Sequence, residues 1–435
     1  MLAPPLADTR FRLDAPFAER LAGEFGTPLY VVDEGHFRNQ LRRYKNAFDA
    51  VWPSAEASFA CKANSTVALL KIAHQEGFAI DVASEGEFRA AIAAGVSPAG
   101  CHLHGNNKTR EELEFAIGEG VGYVVADHFG ELETLREIGG SPRVVLRLAP
   151  GVDPVTHSKI STGQADTKFG FNITDGSAEK ATRRSLELGL NLIGFHCHVG
   201  SQLLDPEAQV SGGELIAQLA VEMKRRYGFS ATYLNVGGGL GVRYTLKDEP
   251  MPVEEYCRMI AQAVSKTLEG SGLDPILGQE PGRSLVAESG VTLYRVGVVK
   301  TVPAKTIGHR TYVAVDGGLS DNPRPAMYGS VYTVERVSPP ATGESAKVTV
   351  SGKHCETDKL FEDVDLPADV QVGDLLQVLC TGAYNSSMAS NYNRYRRPPT
   401  VLLRSTGAAD LIQRSETWDE LLAREIVPTD LAGTP

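Results

Sequence analysis

Cysteine, tryptophan and long apolar runs are all scarce in this chain of 435 residues. The six cysteines (61, 101, 197, 257, 355, 380) are scattered, and no two form a Cys-x-x-Cys pair. That spacing offers neither a disulfide framework nor a zinc knuckle, and most of these thiols are expected to be small buried apolar residues. No uninterrupted apolar run approaches the roughly 18 residues of a membrane helix, so no membrane partner is expected. The segment 1–8 has prolines and an acid where a signal peptide would have basic residues and then an apolar stretch, which points to a cytoplasmic location. Positive charge is short as well: 43 Lys and Arg stand against 54 Asp and Glu, a net charge of −11. A net anion gains nothing from phosphate counterion release, so nucleic acid is not an expected partner. There is no internal repeat and no low-complexity tract; 338–345 reads as a surface loop.

What is present is an ordinary globular balance, with 42% hydrophobic and 22% charged residues. The length suggests two or three domains of about 150 residues. Short apolar β-type runs alternate with helical stretches. Strands are expected near 57–62, 78–83, 101–104, 123–127, 143–148, 192–199, 233–236 and 275–279. Between them, segments such as 66–77, 85–95 and 109–120 carry apolar residues at helical spacing and end in glycine. This alternation implies an α/β fold with parallel strands and right-handed crossovers. Eight units fit a (β/α)8 barrel, which takes about 250 residues, better than a doubly wound open sheet. After about Val296 the texture changes to Gly, Pro and short alternating runs (312–315, 347–350, 375–379, 400–404), with one clear helix at 417–425. That reads as a β-rich, antiparallel C-terminal domain. Residues 1–36, with a strand at 29–32, could join either part.

In such a barrel the reactive side chains stand at the C-terminal ends of the strands. Those ends hold Lys62, Asp81, His104, Arg147, His198, Gly237–Gly239 and Glu280. Each has an ordinary reading beside a chemical one. Lys62 could snorkel to water, or be a desolvated amine of lowered pKa suited to Schiff-base chemistry. Val236-Gly-Gly-Gly-Leu-Gly241 could be a flexible turn, or a loop whose N–H groups cradle phosphate. It lacks the dinucleotide-binding spacing, and Gly352-Lys353 lacks the rest of a P-loop. His196 and His198 share a strand face and could pair on a metal, but no further ligand stands nearby in sequence; a ring lying against a flat cofactor is the better use for His198. Glu280-Pro281-Gly282-Arg283 could be a surface ion pair, or an acid for a pyridine nitrogen beside a guanidinium for a carboxylate. A lysine, a glycine-rich phosphate loop, a stacking histidine and an acid for a ring nitrogen are together the parts of a pyridoxal 5′-phosphate site, and no metal is called for.

The chain resembles the fold-type III pyridoxal-phosphate-dependent decarboxylases, the ornithine, diaminopimelate and arginine decarboxylase family, and within it the diaminopimelate branch. The matching stretches run in order from Gly26-Thr-Pro-Leu-Tyr30 to Thr381-Gly-Ala-Tyr384. They include Cys61-Lys-Ala-Asn64, His104-Gly-Asn-Asn-Lys108, Ile160-Ser-Thr162, Lys168-Phe-Gly170, His196-Cys-His-Val-Gly-Ser-Gln202, Gly237–Gly241, Glu280–Arg283, Asp316-Gly-Gly-Leu-Ser-Asp321, Arg324-Pro-Ala-Met-Tyr328 and Gly352-Lys-His-Cys-Glu356.

The resemblance implies a cofactor-binding barrel over 37–295 and a β-rich domain from 1–36 plus 296–435, in a homodimer with shared active sites. It implies conversion of meso-2,6-diaminopimelate to L-lysine and CO2. On that footing Lys62 carries the cofactor, His198 stacks on its ring, Ser201 and Gly237, Gly238 and Gly239 hold its phosphate, and Glu280 faces its ring nitrogen. Pro281 and Gly282 belong to the same cofactor loop, and Asp81 and Tyr384 lie near the cofactor. Arg283, Arg324, Tyr328, Glu356 and Tyr384 hold the substrate, and Cys355 of the partner subunit delivers a proton. A thiol is largely protonated at neutral pH and can serve as that acid.

One motif departs from the family pattern. Where Cys-Glu-Ser-Gly-Asp is usual, this chain has Cys355-Glu-Thr-Asp-Lys359, so that either Lys359 replaces the last acid or a one-residue deletion leaves Asp358 in its place. Asn385-Ser-Ser387 also differs from the bulkier residues usual there. The same catalytic parts would serve another amino acid, free or carrier-bound. A non-catalytic regulator would be expected to lose Lys62 or the glycine loop.

Overall fold

The computed structural model describes residues 8–151, 166–305, 308–337, 344–357 and 359–431. Ile160–Thr162, Asp358 and most of the 338–345 loop lie outside the described residues. The chain divides into two compact units, one of 1–10 and 34–289, the other of 11–33 and 290–435.

In the first unit, β2 (Ala55–Ala60), β3 (Ala79–Val82), β4 (Cys101–Leu103), β5 (Tyr123–Ala126), β6 (Arg143–Ala149), β8 (Asn191–Cys197), β9 (Tyr233–Asn235) and β10 (Ile276–Gln279) pair in parallel. β10 pairs with β2, closing an eight-stranded barrel, and β7 (Phe171–Asn172) adds to β6. The expected helices form as Val67–Gln75, Glu85–Ala93 and Arg110–Glu119, the last with a capping box from Thr109 and Glu112.

Side-chain parity divides the barrel wall. Phe59, Leu103, Val124, Val144, Leu146 and Leu234, all buried, occupy the alternate positions to an inward set of Ser58, His102, Tyr123, Val125, Val145, Tyr233 and Asn235. Two inward positions are glycine for want of room. A Cβ on Gly278 would stand 2.5 Å from the Tyr233 hydroxyl, and one on Gly194 would stand 1.7 Å from the Tyr233 carbonyl. Burial pushes the thiols of Cys101, Cys197 and Cys257 up to about 12, which makes them packing residues.

The second unit is built on β1 (Leu29–Asp33), β11 (Gly290–Ala304), β12 (Gly308–Val315), β13 (Val334–Arg336), β14 (Ser345–Ser351), β15 (Phe361–Pro367), β16 (Leu375–Leu379), β17 (Thr400–Leu403) and β18 (Ala409–Gln413). Their order is β15-β14-β12-β11-β1-β17-β18, with β16 joining β11 to β13. The sheet is mixed, not antiparallel as the sequence suggested. β1 runs parallel to β17 and β12 parallel to β14, because each pair is joined by a long excursion instead of a hairpin. The unit's C-terminal segment begins at Gly290, ahead of the change of texture at Val296, since β11 is one 15-residue strand. The expected helix at 417–425 is confined to Trp418–Leu422.

Candidate active site

The centre of the site is Glu280, buried just past the end of β10. Its Oε1 lies 3.0 Å from His104 Nε2 and accepts a hydrogen bond from Asn235 Nδ2 at 2.8 Å; its Oε2 lies 3.1 Å from His196 Nε2. Burial alone would push this carboxyl up. The two imidazoles outweigh it and hold Glu280 well below the usual carboxylate range, so it stays an anion. Asp81, 3.5 Å from His104 Nε2, goes the other way: burial raises it to about 6, with His104 and Lys62 opposing and Glu280 adding to the rise.

The glycine loop follows β9. Gly237 has φ +71, and a Cβ there would meet the Cys197 carbonyl at 2.5 Å; one on Gly238 would meet the Glu280 carbonyl at 2.0 Å. Only glycine lets this backbone lie against both neighbouring strand ends. Gly238 N–H points at His198 Nδ1, 3.3 Å away. Burial, reinforced by Lys62 and Arg147, lowers His198 well below the usual imidazole range, so the ring is neutral and its Nδ1 accepts. Ser201 Oγ accepts from Arg283 Nη2 at 2.9 Å, and Arg283 also donates to the Tyr244 hydroxyl.

Pro281 and Gly282 pin this loop to the end of β2. The Pro281 carbonyl accepts from Ala60 N at 3.0 Å, and a Cβ on Gly282 would lie 3.1 Å from that of Ala63. Lys62 stands on the 3-10 turn Cys61–Ala63 and is exposed, as the snorkelling reading has it and not the desolvated one, because β2 ends two residues before it. Its charge acts on both Asp81 and His198. Arg147 lies inside β6, not at its end, 3.9 Å from Asp127 and over the Phe169 ring.

His196 and His198 do not form a pair. His198 turns to Gly238, while His196 joins His104 and Glu280, whose ligand-type atoms lie within 4.8 Å of one another. Each imidazole Nε2 of that cluster faces a Glu280 oxygen, while His196 Nδ1 is buried without a hydrogen-bond partner among the described residues. The donor set fits pyridoxal 5′-phosphate: a buried anion for the ring nitrogen, a neutral imidazole, a glycine cradle for phosphate and a lysine.

The other expected residues belong to the second unit. Arg324 is buried, its guanidinium 5.9 Å from the Tyr384 ring centroid and donating to the Tyr332 hydroxyl. Tyr328 ends the same short helix, Arg324–Tyr328. Cys355 and Glu356 are exposed; Cys355 N donates to Asn393 Oδ1 at 3.0 Å, and Tyr392 donates its hydroxyl proton to Glu356. Lys359 is ion-paired with Glu362.

Sequence reasoning missed Asn235, Tyr332 and Tyr392, and the part His196 plays at Glu280. Asn235 sits two residues before Gly237, on the inward parity, which is the signal that would have found it.

Comparison with known proteins agrees with this chemistry. Residues 34–287 match the family model "Pyridoxal-dependent decarboxylase, pyridoxal binding domain". The diaminopimelate decarboxylase of Bacillus subtilis (strain 168) is 43% identical over 413 residues, covering 93% of each chain; that of Staphylococcus aureus (strain COL) is 39% identical, covering 92% of this chain and 94% of its own. Among solved structures, diaminopimelate decarboxylase from M. jannaschii is 34% identical with a TM-score of 0.88 and 95% coverage of both chains. The Helicobacter pylori enzyme complexed with L-lysine is 30% identical with a TM-score of 0.84, covering 93% of this chain and 98% of its own. The chain belongs to the pyridoxal-phosphate-dependent decarboxylase family, in the group of the diaminopimelate decarboxylases.

Proposed function

We propose that this protein converts meso-2,6-diaminopimelate to L-lysine and CO2 with pyridoxal 5′-phosphate, working as a homodimer. The observation that carries the reading is Glu280, a buried carboxylate kept ionised beside a glycine loop whose backbone leaves no room for side chains. When bound, the cofactor supplies a sink for the electron pair left on Cα as CO2 departs. Glu280 opposes the positive charge of a protonated ring nitrogen. Lys62 tethers the cofactor, His198 backs its ring, and Ser201 with Gly237–Gly239 takes its phosphate. Arg283, Arg324, Tyr328, Glu356 and Tyr384 hold the substrate's carboxylates and distal ammonium. The Cys355 thiol of the second copy gives its proton to Cα, so that the C–C bond is replaced by C–H, and regains a proton from solvent. Relatives at 38–43% identity that bear the diaminopimelate decarboxylase name support the choice of substrate.

A second reading keeps the machinery and changes the amino acid, on the strength of the altered loop after Cys355. CO2 release from meso-diaminopimelate, L-lysine, L-ornithine and L-arginine separates the two. Strong preference for diaminopimelate, with L-lysine as product and with loss of both turnover and the visible cofactor band in Lys62→Ala, is expected. Preference for another of the four would overturn the substrate. An unchanged band and unchanged turnover in Lys62→Ala would overturn the site.

A further inference from the structure

Barrel cores of this type are usually filled with branched aliphatic layers. Here a polar column fills part of the interior. Glu56, half-buried on β2, accepts from the Tyr233 hydroxyl at 2.8 Å; Tyr233 is hydrogen-bonded to the Tyr123 hydroxyl, which lies 2.6 Å from His102 Nδ1. His102 stacks on Tyr123 with centroids 3.8 Å apart, and Ser58 Oγ lies 3.1 Å from the same Nδ1.

Asn235 is where this column meets the site. It is fully buried, its Nδ2 donating to Tyr233 Oη at 3.0 Å and to Glu280 Oε1 at 2.8 Å, while its Oδ1 accepts from Gly237 N at 2.8 Å. The chemistry fixes which way the amide points. Gly237 N–H can only donate and an ionised carboxylate can only accept, so a flipped amide would lose both bonds.

We propose that Asn235 is a positioning residue that holds the acid for the cofactor's ring nitrogen and the loop for its phosphate in register with each other. One rigid amide spans the two ends, and Tyr233, fixed by Glu56 and Tyr123, sets the angle of that amide. The inference rests on the cofactor reading above, and its test separates the two.

The measurements are the cofactor dissociation constant and the pH titration of the ring nitrogen in protein loaded with 15N-labelled pyridoxal phosphate, for native protein, Asn235→Ala and Asn235→Asp. Asn235→Ala loses a hydrogen bond to a charged group and one to the loop. It is expected to weaken cofactor binding about tenfold and to displace the ring-nitrogen titration, lowering kcat more than it raises KM. Asn235→Asp keeps the volume and the acceptor for Gly237 but puts a second buried carboxyl against Glu280, and two carboxyls this close hold one proton between them, which changes the charge facing the ring nitrogen. Its cofactor affinity should return to within about threefold of native, since only the loop bond is restored, while the ring-nitrogen titration stays displaced. A native ring-nitrogen titration in Asn235→Ala, or affinity lost as fully in Asn235→Asp as in Asn235→Ala, would overturn the inference alone. Failure of the native protein to take up the cofactor would overturn the reading of the site with it.

Discussion

Lys108 Nζ lies 2.8 Å from Glu131 Oε1 with both side chains removed from water, 3% and 1% exposed. The ammonium also donates to the carbonyls of Gly105 at 2.6 Å and Val125 at 2.8 Å, and Glu131 Oε2 accepts from Asp127 N at 2.9 Å. The pair therefore ties the loop after β4, the end of β5 and the helix Phe129–Ile138 to one point. Removing one partner leaves a buried charge without its counterion. Glu131→Ala should cost about 3–5 kcal/mol in urea unfolding. Lys108→Met should cost less at pH 5 than at pH 8. Burial already raises Glu131, and without Lys108 the carboxyl takes up a proton more readily, so the folded state loses stability as pH rises. Equal losses at both pH values would show that the ion pair is not what holds the three segments.

Asp81 has the opposite character, a carboxylate disfavoured by its surroundings. Its folded value of about 6 lies above its ordinary 3.8. A raised carboxyl binds its proton more tightly in the folded state, so the stability it contributes is full below the ordinary value and lost as pH rises through about 6. Asp81→Asn should stabilise the cofactor-free protein at pH 8 by at most about 3 kcal/mol and leave it unchanged near pH 4. Calorimetry of the cofactor-free variant at the two pH values checks this; a stability difference independent of pH would mean that Asp81 is ionised in the fold at both.

The barrel was legible because its strands are short apolar runs at regular spacing, and the strand ends named most of the residues of the candidate site. Their exact limits were not legible. Lys62 and His198 lie past the hydrogen-bonded ladder, which a sequence does not mark. β11 escaped notice because much of its second half is solvent-facing, with Val298 51% and Val299 37% exposed, so it lacks the continuous apolar run of the barrel strands. The parallel pairing of β1 with β17 joins residues near 30 to residues near 400, a contact no local pattern encodes. The polar column was hidden for a different reason. Tyr233, Asn235 and His102 look like residues of an outward strand face until one asks which parity leads to Gly237, Glu280 and His104.

The loop after Cys355 offers a separation of binding from chemistry. Two consecutive residues hold two consecutive residues: Tyr392 bonds the Glu356 carboxylate, and Asn393, at φ +52 in the left-handed region that asparagine tolerates, bonds the Cys355 backbone. On the proposed roles, Glu356 meets the substrate's distal ammonium and Cys355 supplies the proton. Tyr392→Phe frees the Glu356 side chain without touching the Cys355 backbone. It should raise KM for meso-diaminopimelate about fivefold, the worth of one hydrogen bond, and leave kcat near native. Asn393→Ala releases the backbone that carries the thiol and should lower kcat with a smaller effect on KM. Steady-state kinetics of the two variants decide the matter: a fall in kcat for Tyr392→Phe as large as that for Asn393→Ala would mean that the segment moves as one piece and that binding and proton delivery are not set by separate residues.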